Sequence, residues 1–171
     1  MRMRERHRFH LSQLFVIISA LIFGTVVLGI AAGYRLNVSR SVDLGLYRLH
    51  GVPIVLSRGQ LVVIPLPDSV RAWHSPSLPI IKTISGLAGD TVCVTTDGLW
   101  VEGQYYGAIL GDAAGQALPH PLGDGCTVVP NGYVFLASTV ERSLDGRYMG
   151  FTNVEDLTTT ATPVWTWKEL P

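Results

Sequence analysis

Apolar and polar positions along the chain fall into two regimes. From Leu14 to Ala32 the run LFVIISALIFGTVVLGIAA carries no charge, and about 20 such residues in a helix rising 1.5 Å each cross the hydrocarbon of a bilayer. Residues 14–33 are therefore expected to form a transmembrane anchor. Beyond it, short apolar runs and alternations are interrupted by Gly, Pro and Asp-Gly, a pattern that predicts strands. Leu61 to Leu66 (LVVIPL) reads as a buried strand; PIIKTISGL, which carries Lys82, follows the next loop, and DTVCVTT, where Val92 and Val94 alternate, reads as a strand with one buried face. The Asp97-Gly98 dipeptide before LWVEG predicts a tight hairpin, because both residues tolerate positive φ. GYVFLAS and the terminal PVWTWKEL read as further strands, and the aromatic residues of WVEGQYY as strand packing. Tyr34 to His50 reads as a short polar segment, PDSVRAWHSPSLP as a loop, and Gly107 to Gly132 as long loops with little regular structure. No amphipathic helix follows the anchor, so the fold class expected is mainly β, with several antiparallel strands.

Length and charge refine this picture. The 171 residues suffice for one globular domain with its own core plus the anchor, dividing the chain into a basic tail (1–13), the anchor (14–33) and a domain (34–171). The formal net charge of zero conceals Arg2, Arg4, Arg6 and Arg8 at the N-terminus with only Glu5 against them, which leaves nine basic and twelve acidic side chains elsewhere. That balance gives no basic footprint for nucleic acid. Arginines on the N-terminal side of the apolar run place the tail in the cytoplasm and the domain across the membrane. A cleaved secretory signal ending at Ala31 and Gly33 is the competing reading, but the run exceeds the roughly 7 to 15 apolar residues of a signal core.

Cys93 and Cys126 then lie in an exported domain, where an even count argues for a disulfide; two buried thiols are the alternative. Their spacing fits no zinc pattern, and neither a metal nor a cofactor is expected.

Two segments offer chemistry. Lys82 is one of two lysines against eleven arginines, and lysine, unlike arginine, can lose its proton when buried. To act as a base near neutral pH it must fall about 3 units, which requires the apolar surroundings that Pro79, Ile80, Ile81 and Ile84 can supply. In RLNVSRSVDLGLY, Asn37, Ser39 and Ser41 alternate, so an extended segment would project them together. Ser41 is the candidate nucleophile, with its own amide and the Ser39 hydroxyl as candidate oxyanion donors. On local context alone a solvent-facing lysine on a strand is the better reading of Lys82, and the serine segment also fits a polar linker leaving the membrane. No Gly-x-Ser-x-Gly elbow occurs, no histidine sits in a motif, and His74 and His120 lie in Pro-containing loops.

Taken together, these segments resemble the signal peptidase I superfamily, and most of all its conjugative-transfer branch, the TraF-type peptidases. The first box of that branch is matched by Asn37, Ser39, Ser41, Gly45, Leu46 and Tyr47, and the lysine box by Lys82, Gly86, Leu87, Gly89 and Asp90. A third box is matched by Ser143, Asp145, Arg147, Tyr148 and Gly150. The paired cysteines, the second of them just before GYVFL, also resemble the branch. The resemblance implies a signal-peptidase-like catalytic domain in which Ser41 is the nucleophile, Lys82 the general base and Ser39 an oxyanion donor. It further implies that Ser143 hydrogen-bonds the lysine and that Asp145 and Arg147 form a supporting ion pair. The branch's proline after the nucleophile is Asp43 here, the proline of the lysine box is Ala88, and its Gly-Asp-Asn is replaced by Ser138, Thr139 and Val140. Asp43 is expected to alter peptide binding or to raise the pKa of the lysine.

The implied activity is serine endopeptidase cleavage of signal or leader peptides at the bacterial inner membrane, with the catalytic domain periplasmic. The implied partners are a precursor protein (a prepilin or a secretory preprotein), the lipid bilayer and other conjugation or secretion components. Cyclisation of a pilin by an amine acceptor follows by analogy only. The alternatives are a general type I signal peptidase and a catalytically impaired homologue serving as an anchored assembly or binding component.

Overall fold

The computed structural model describes residues 2–68, 70, 79–113 and 115–167, with side chains from residue 13 onward. His74, most of the loop expected over residues 67–79, and Lys168 at the end of the terminal strand lie outside the described residues.

The chain divides into two compact units, Met1–Arg35 and Leu36–Pro171. The first is dominated by helix α1 (Arg2–Ala31). The basic tail and the apolar run are thus one helix, which ends two residues before the expected boundary at Gly33. Within it Gln13–Ala31 is long and apolar enough to cross a membrane. None of that 19-residue span is buried, and its length of about 28 Å matches the hydrocarbon thickness.

The second unit is mainly antiparallel β. Its strands are β1 (Tyr34–Asn37, which begins in the first unit), β2 (Leu44–His50), β3 (Leu61–Ile64), β4 (Ile80–Gly86), β5 (Thr91–Thr95), β6 (Gly98–Val101), β7 (Gln104–Gly107), β8 (Asp112–Ala113), β9 (Gln116–Ala117), β10 (Gly125–Val128), β11 (Tyr133–Leu136), β12 (Thr152–Asn153) and β13 (Thr159–Trp167). A four-residue helix, α2 (Gly146–Met149), precedes β12. The described strands form a seven-stranded sheet in the order β1-β2-β13-β3-β4-β11-β12, a four-stranded sheet β10-β5-β6-β7 and the hairpin β8-β9.

The unbroken apolar run of β3 and the nearly continuous burial along β4 arise because both faces of the large sheet are covered. On one face Val62, Ile64, Ile80 and Ile84 join Val134, Leu136 and Tyr148 in the main core. On the other, Val63 and Ile81 pack with Tyr47 and Ala161. A third cluster joins the small sheet to β11 through Val92, Leu99, Val101 and Phe135.

Three local expectations are corrected. Tyr34 to His50 is not simply a polar connection: it forms β1 and β2, the latter paired along β13. Gly107 to Gly132 contains β8, β9 and β10, and β10 extends the small sheet by pairing with β5. The hairpin is present, but Thr95 pairs with Gly98, so its turn residues are Thr96 and Asp97. Gly98 serves a different need, since a side chain there would run into the Gly107 backbone on β7.

Candidate active site

Lys82 sits at the centre of β4, opposite Val62 of β3. The two-residue period of a strand puts it on the same face as Ile80 and Ile84 and turns Ile81 to the other side. An amine among Val62, Ile80 and Ile84 loses most of its hydration, and Lys82 is only 3% exposed. Burial accordingly lowers its pKa from 10.5 to about 8; the Asp145 carboxylate opposes this fall and the Arg147 guanidinium assists it. Asp43, expected to raise the lysine's pKa, is not among these causes.

Ser41 lies in the connection between β1 and β2, which is not extended: residues 40–42 form a turn and bend. The alternation of Asn37, Ser39 and Ser41 therefore does not place the three side chains in a row. Instead Asn37, nearly buried, organises the loop from inside. Its Nδ2 donates to the carbonyls of Ser39 (2.8 Å) and Asp43 (3.1 Å), and its Oδ1 accepts from the Ser39 amide (3.2 Å) and hydroxyl (3.1 Å). Tyr47 Oη donates to the Asp43 carbonyl at 2.6 Å, and Ser138 Oγ donates to the Ser41 carbonyl at 2.9 Å. These bonds to Asn37, Tyr47 and Ser138 hold Ser41 toward β4.

The result is a three-membered cluster. Lys82 Nζ donates to Ser41 Oγ at 2.7 Å and to Ser143 Oγ at 3.1 Å, and Ser143 Oγ donates to Ser41 Oγ at 3.2 Å. Ser143 is buried, on the segment between β11 and α2. That segment is fixed by a fully buried ion pair. Arg147 Nη2 and Nε bind the two Asp145 oxygens at 2.8 and 2.9 Å, and both side chains are 0% exposed. Asp145 also caps α2 by accepting from the Arg147 amide, and it accepts from the Ser138 amide at 3.1 Å. Arg147 in turn donates to the carbonyls of Ser138, Val140, Ala108 and Glu141. The pair thereby cross-links the loop carrying Ser138 to the helix after Ser143. Gly146 is needed between them, because a Cβ would collide with the Phe135 ring.

Ser41 borders two clefts. The first, of about 740 Å³, is lined by Ser39, Lys82 and Ser143 together with Ile80, Leu118 and Tyr148. The second, of about 790 Å³, is lined by Asp43, Glu102, Thr139 and Val140 among others. Cys93 and Cys126 face each other across β5 and β10 and are joined by a disulfide. Asp90, in the lysine box, is paired with Arg58, which holds its carboxyl below the usual range. Among the described residues no group of three or more His, Cys, Asp or Glu side chains is placed to hold a metal.

Residues 7–167 match the family model described as signal peptidase, peptidase S26. The chain belongs to this family. It is 32% identical to the conjugal transfer protein TraF of Agrobacterium fabrum, over 84% of this chain and 89% of that one. It is 33% identical to the conjugal transfer protein TraF of Agrobacterium tumefaciens, over 95% and 98%, and 27% identical to a plasmid transfer protein TraF of Escherichia coli, over 81% and 86%. A crystal structure of a signal peptidase I from Enterococcus faecalis overlays with a TM-score of 0.40 at 21% identity, covering 65% of this chain and all of that one.

Of the residues singled out in the sequence, Ser41, Lys82 and Ser143 come together, Asp145 and Arg147 support them, and Ser39 lies in the adjoining cleft with its hydroxyl engaged by Asn37. The organising roles of Asn37, Ser138 and Tyr47 were not apparent in this peptidase S26 chain. Ser138 had the weakest signal, standing where the related branch has glycine.

Proposed function

We propose that this chain is a membrane-anchored serine endopeptidase that cleaves signal or leader peptides, with Ser41 as nucleophile and Lys82 as general base. The observation that carries this is the 2.7 Å contact between Lys82 Nζ and Ser41 Oγ, made by an amine whose pKa burial has lowered to about 8. About a tenth of the molecules then hold a neutral Lys82 at pH 7, and about half at pH 8. The neutral amine takes the Ser41 proton as Oγ attacks the scissile carbonyl. Collapse of the tetrahedral intermediate breaks the C–N bond, the proton passes from Lys82 to the leaving amine, and an ester remains on Ser41. Water, deprotonated by Lys82, then releases the acyl chain. Ser143 orients the amine through its 3.1 Å bond. The Ser41 amide and Ser39 hydroxyl are the candidate oxyanion donors, and Ser39 must give up its bond to Asn37 Oδ1 to serve.

The exposed apolar span of α1 supports an anchor, and the arginines before it support an N-terminus in the cytoplasm with the catalytic domain outside. The disulfide accords with that oxidising side. The conjugal transfer names of the relatives favour a prepilin as substrate over a general secretory preprotein. The test is cleavage of a prepilin by the purified full chain in detergent, alongside Ser41→Ala and Lys82→Ala. Loss of cleavage in both variants is expected, and equal processing by either would refute the assignment.

A further inference from the structure

The second cleft at Ser41 contains a carboxylate that the mechanism does not use. Asp43 stands two residues beyond the nucleophile with its backbone firmly held: its carbonyl accepts from both Tyr47 Oη (2.6 Å) and Asn37 Nδ2 (3.1 Å). Its side chain is exposed, lines the second cleft, and makes no ion pair or hydrogen bond to a described residue. A fixed backbone with an unpartnered charge is an arrangement suited to reading a ligand rather than to stabilising a fold. The other charged groups on this cleft differ. Arg58 is held by Asp90, Arg40 has a partner of its own, and Glu102 is engaged by the Thr91 amide at 2.6 Å and lies 3.9 Å from Arg58.

The two clefts meet at Ser41. Ser39, Lys82 and Ser143 line the first, so the carbonyl carbon, its oxygen and the acyl chain that remains on Ser41 belong there. The chain beyond the cut is then directed into the second, past Asp43. We infer that Asp43 is a specificity-determining residue that selects a positively charged side chain, lysine or arginine, close after the cleavage site. This rests on the peptidase function proposed above.

The experiment compares leader-junction peptides that carry lysine, norleucine or glutamate in the first residues after the cut, using the full chain in detergent at low ionic strength. For the native protein kcat/KM should favour lysine over norleucine by about fivefold, the upper end for a solvent-exposed charge pair. The preference should shrink as salt is raised past the Debye regime. Asp43→Asn should bring the ratio close to one, and Asp43→Lys should invert it in favour of glutamate. Equal preference in all three proteins, or a dependence only on charge before the cut, would overturn the inference. If no peptide is cleaved, the peptidase function itself fails, and the role of Asp43 is still decided by binding: fluorescence anisotropy with labelled lysine and norleucine peptides should show the same charge preference in Ser41→Ala, lost in Ser41→Ala/Asp43→Asn. Equal binding of both peptides to Ser41→Ala would refute it.

Discussion

Replacing Lys82 with methionine gives a quantitative test of the buried amine. The folded pKa is about 8 against 10.5 for an unperturbed lysine, so the folded chain releases this proton before the unfolded chain does. Between those two values the unfolded state binds more protons, and stability rises with pH. Below about pH 8 both states are protonated and the cost of burying the charge is present in full; above 10.5 both are neutral and it has vanished. At 1.36 kcal/mol per pH unit, wild type should gain about 3 kcal/mol relative to Lys82→Met across this window. The variant also loses the bonds to Ser41 and Ser143, which shifts the offset between the proteins but not its slope with pH. Titrations common to both, such as that of Tyr47, which burial and then the Asp43 charge raise above 10, cancel in the difference. The assay is urea denaturation of the full chain in detergent from pH 7 to 10.5, followed by tryptophan fluorescence. A difference in stability that does not change with pH would refute the account of a desolvated lysine.

Three further outcomes follow from the supporting structure. Arg147→Ala should destabilise the domain by about 3 to 5 kcal/mol, because it strands the buried Asp145 carboxylate, and the Asp145→Ala/Arg147→Ala double variant should cost less than the sum of the singles; urea midpoints check both. Replacing Cys93 and Cys126 with serine opens a 33-residue loop and should cost about 3 to 4 kcal/mol in the chain-entropy treatment while leaving the Ser41 to Lys82 geometry intact, as read by residual cleavage. Gly146→Ala should cost about 1 to 3 kcal/mol by forcing Phe135 out of its packing, measured as a fall in thermal midpoint.

The large-scale architecture was legible because it depends on patterns the sequence states directly. An uncharged 19-residue run can be little else than a long apolar helix, and LVVIPL marks a buried strand. What escaped was register and local hydrogen bonding. The Asp97-Gly98 signal pointed to the correct hairpin but to the wrong pair of turn residues, since Gly98 answers the close approach of β7 rather than the turn. The strands β8 to β10 were hidden in a Gly- and Pro-rich stretch: β8 and β9 are only two residues each and pair with one another, and the partner of β10 is β5, more than 30 residues earlier in the chain. In the site, the boxes containing Ser41, Lys82 and Ser143 could be seen, but an alternating serine pattern suggested an extended segment where Asn37 builds a turn. The part played by Ser138 depends on a contact 97 residues away from its partner in sequence, which no local pattern encodes.

The role of Lys82 as base for Ser41 is tested most directly by the pH dependence of kcat/KM for precursor cleavage by the full chain, which reports the ionisation of the free enzyme's base. With Lys82 as that base the rate should rise about tenfold per unit below pH 8 and level off above it, and Lys82→Arg should be inactive at every pH because arginine stays protonated. A flat profile between pH 6 and 9, or substantial cleavage by Lys82→Arg, would contradict the account.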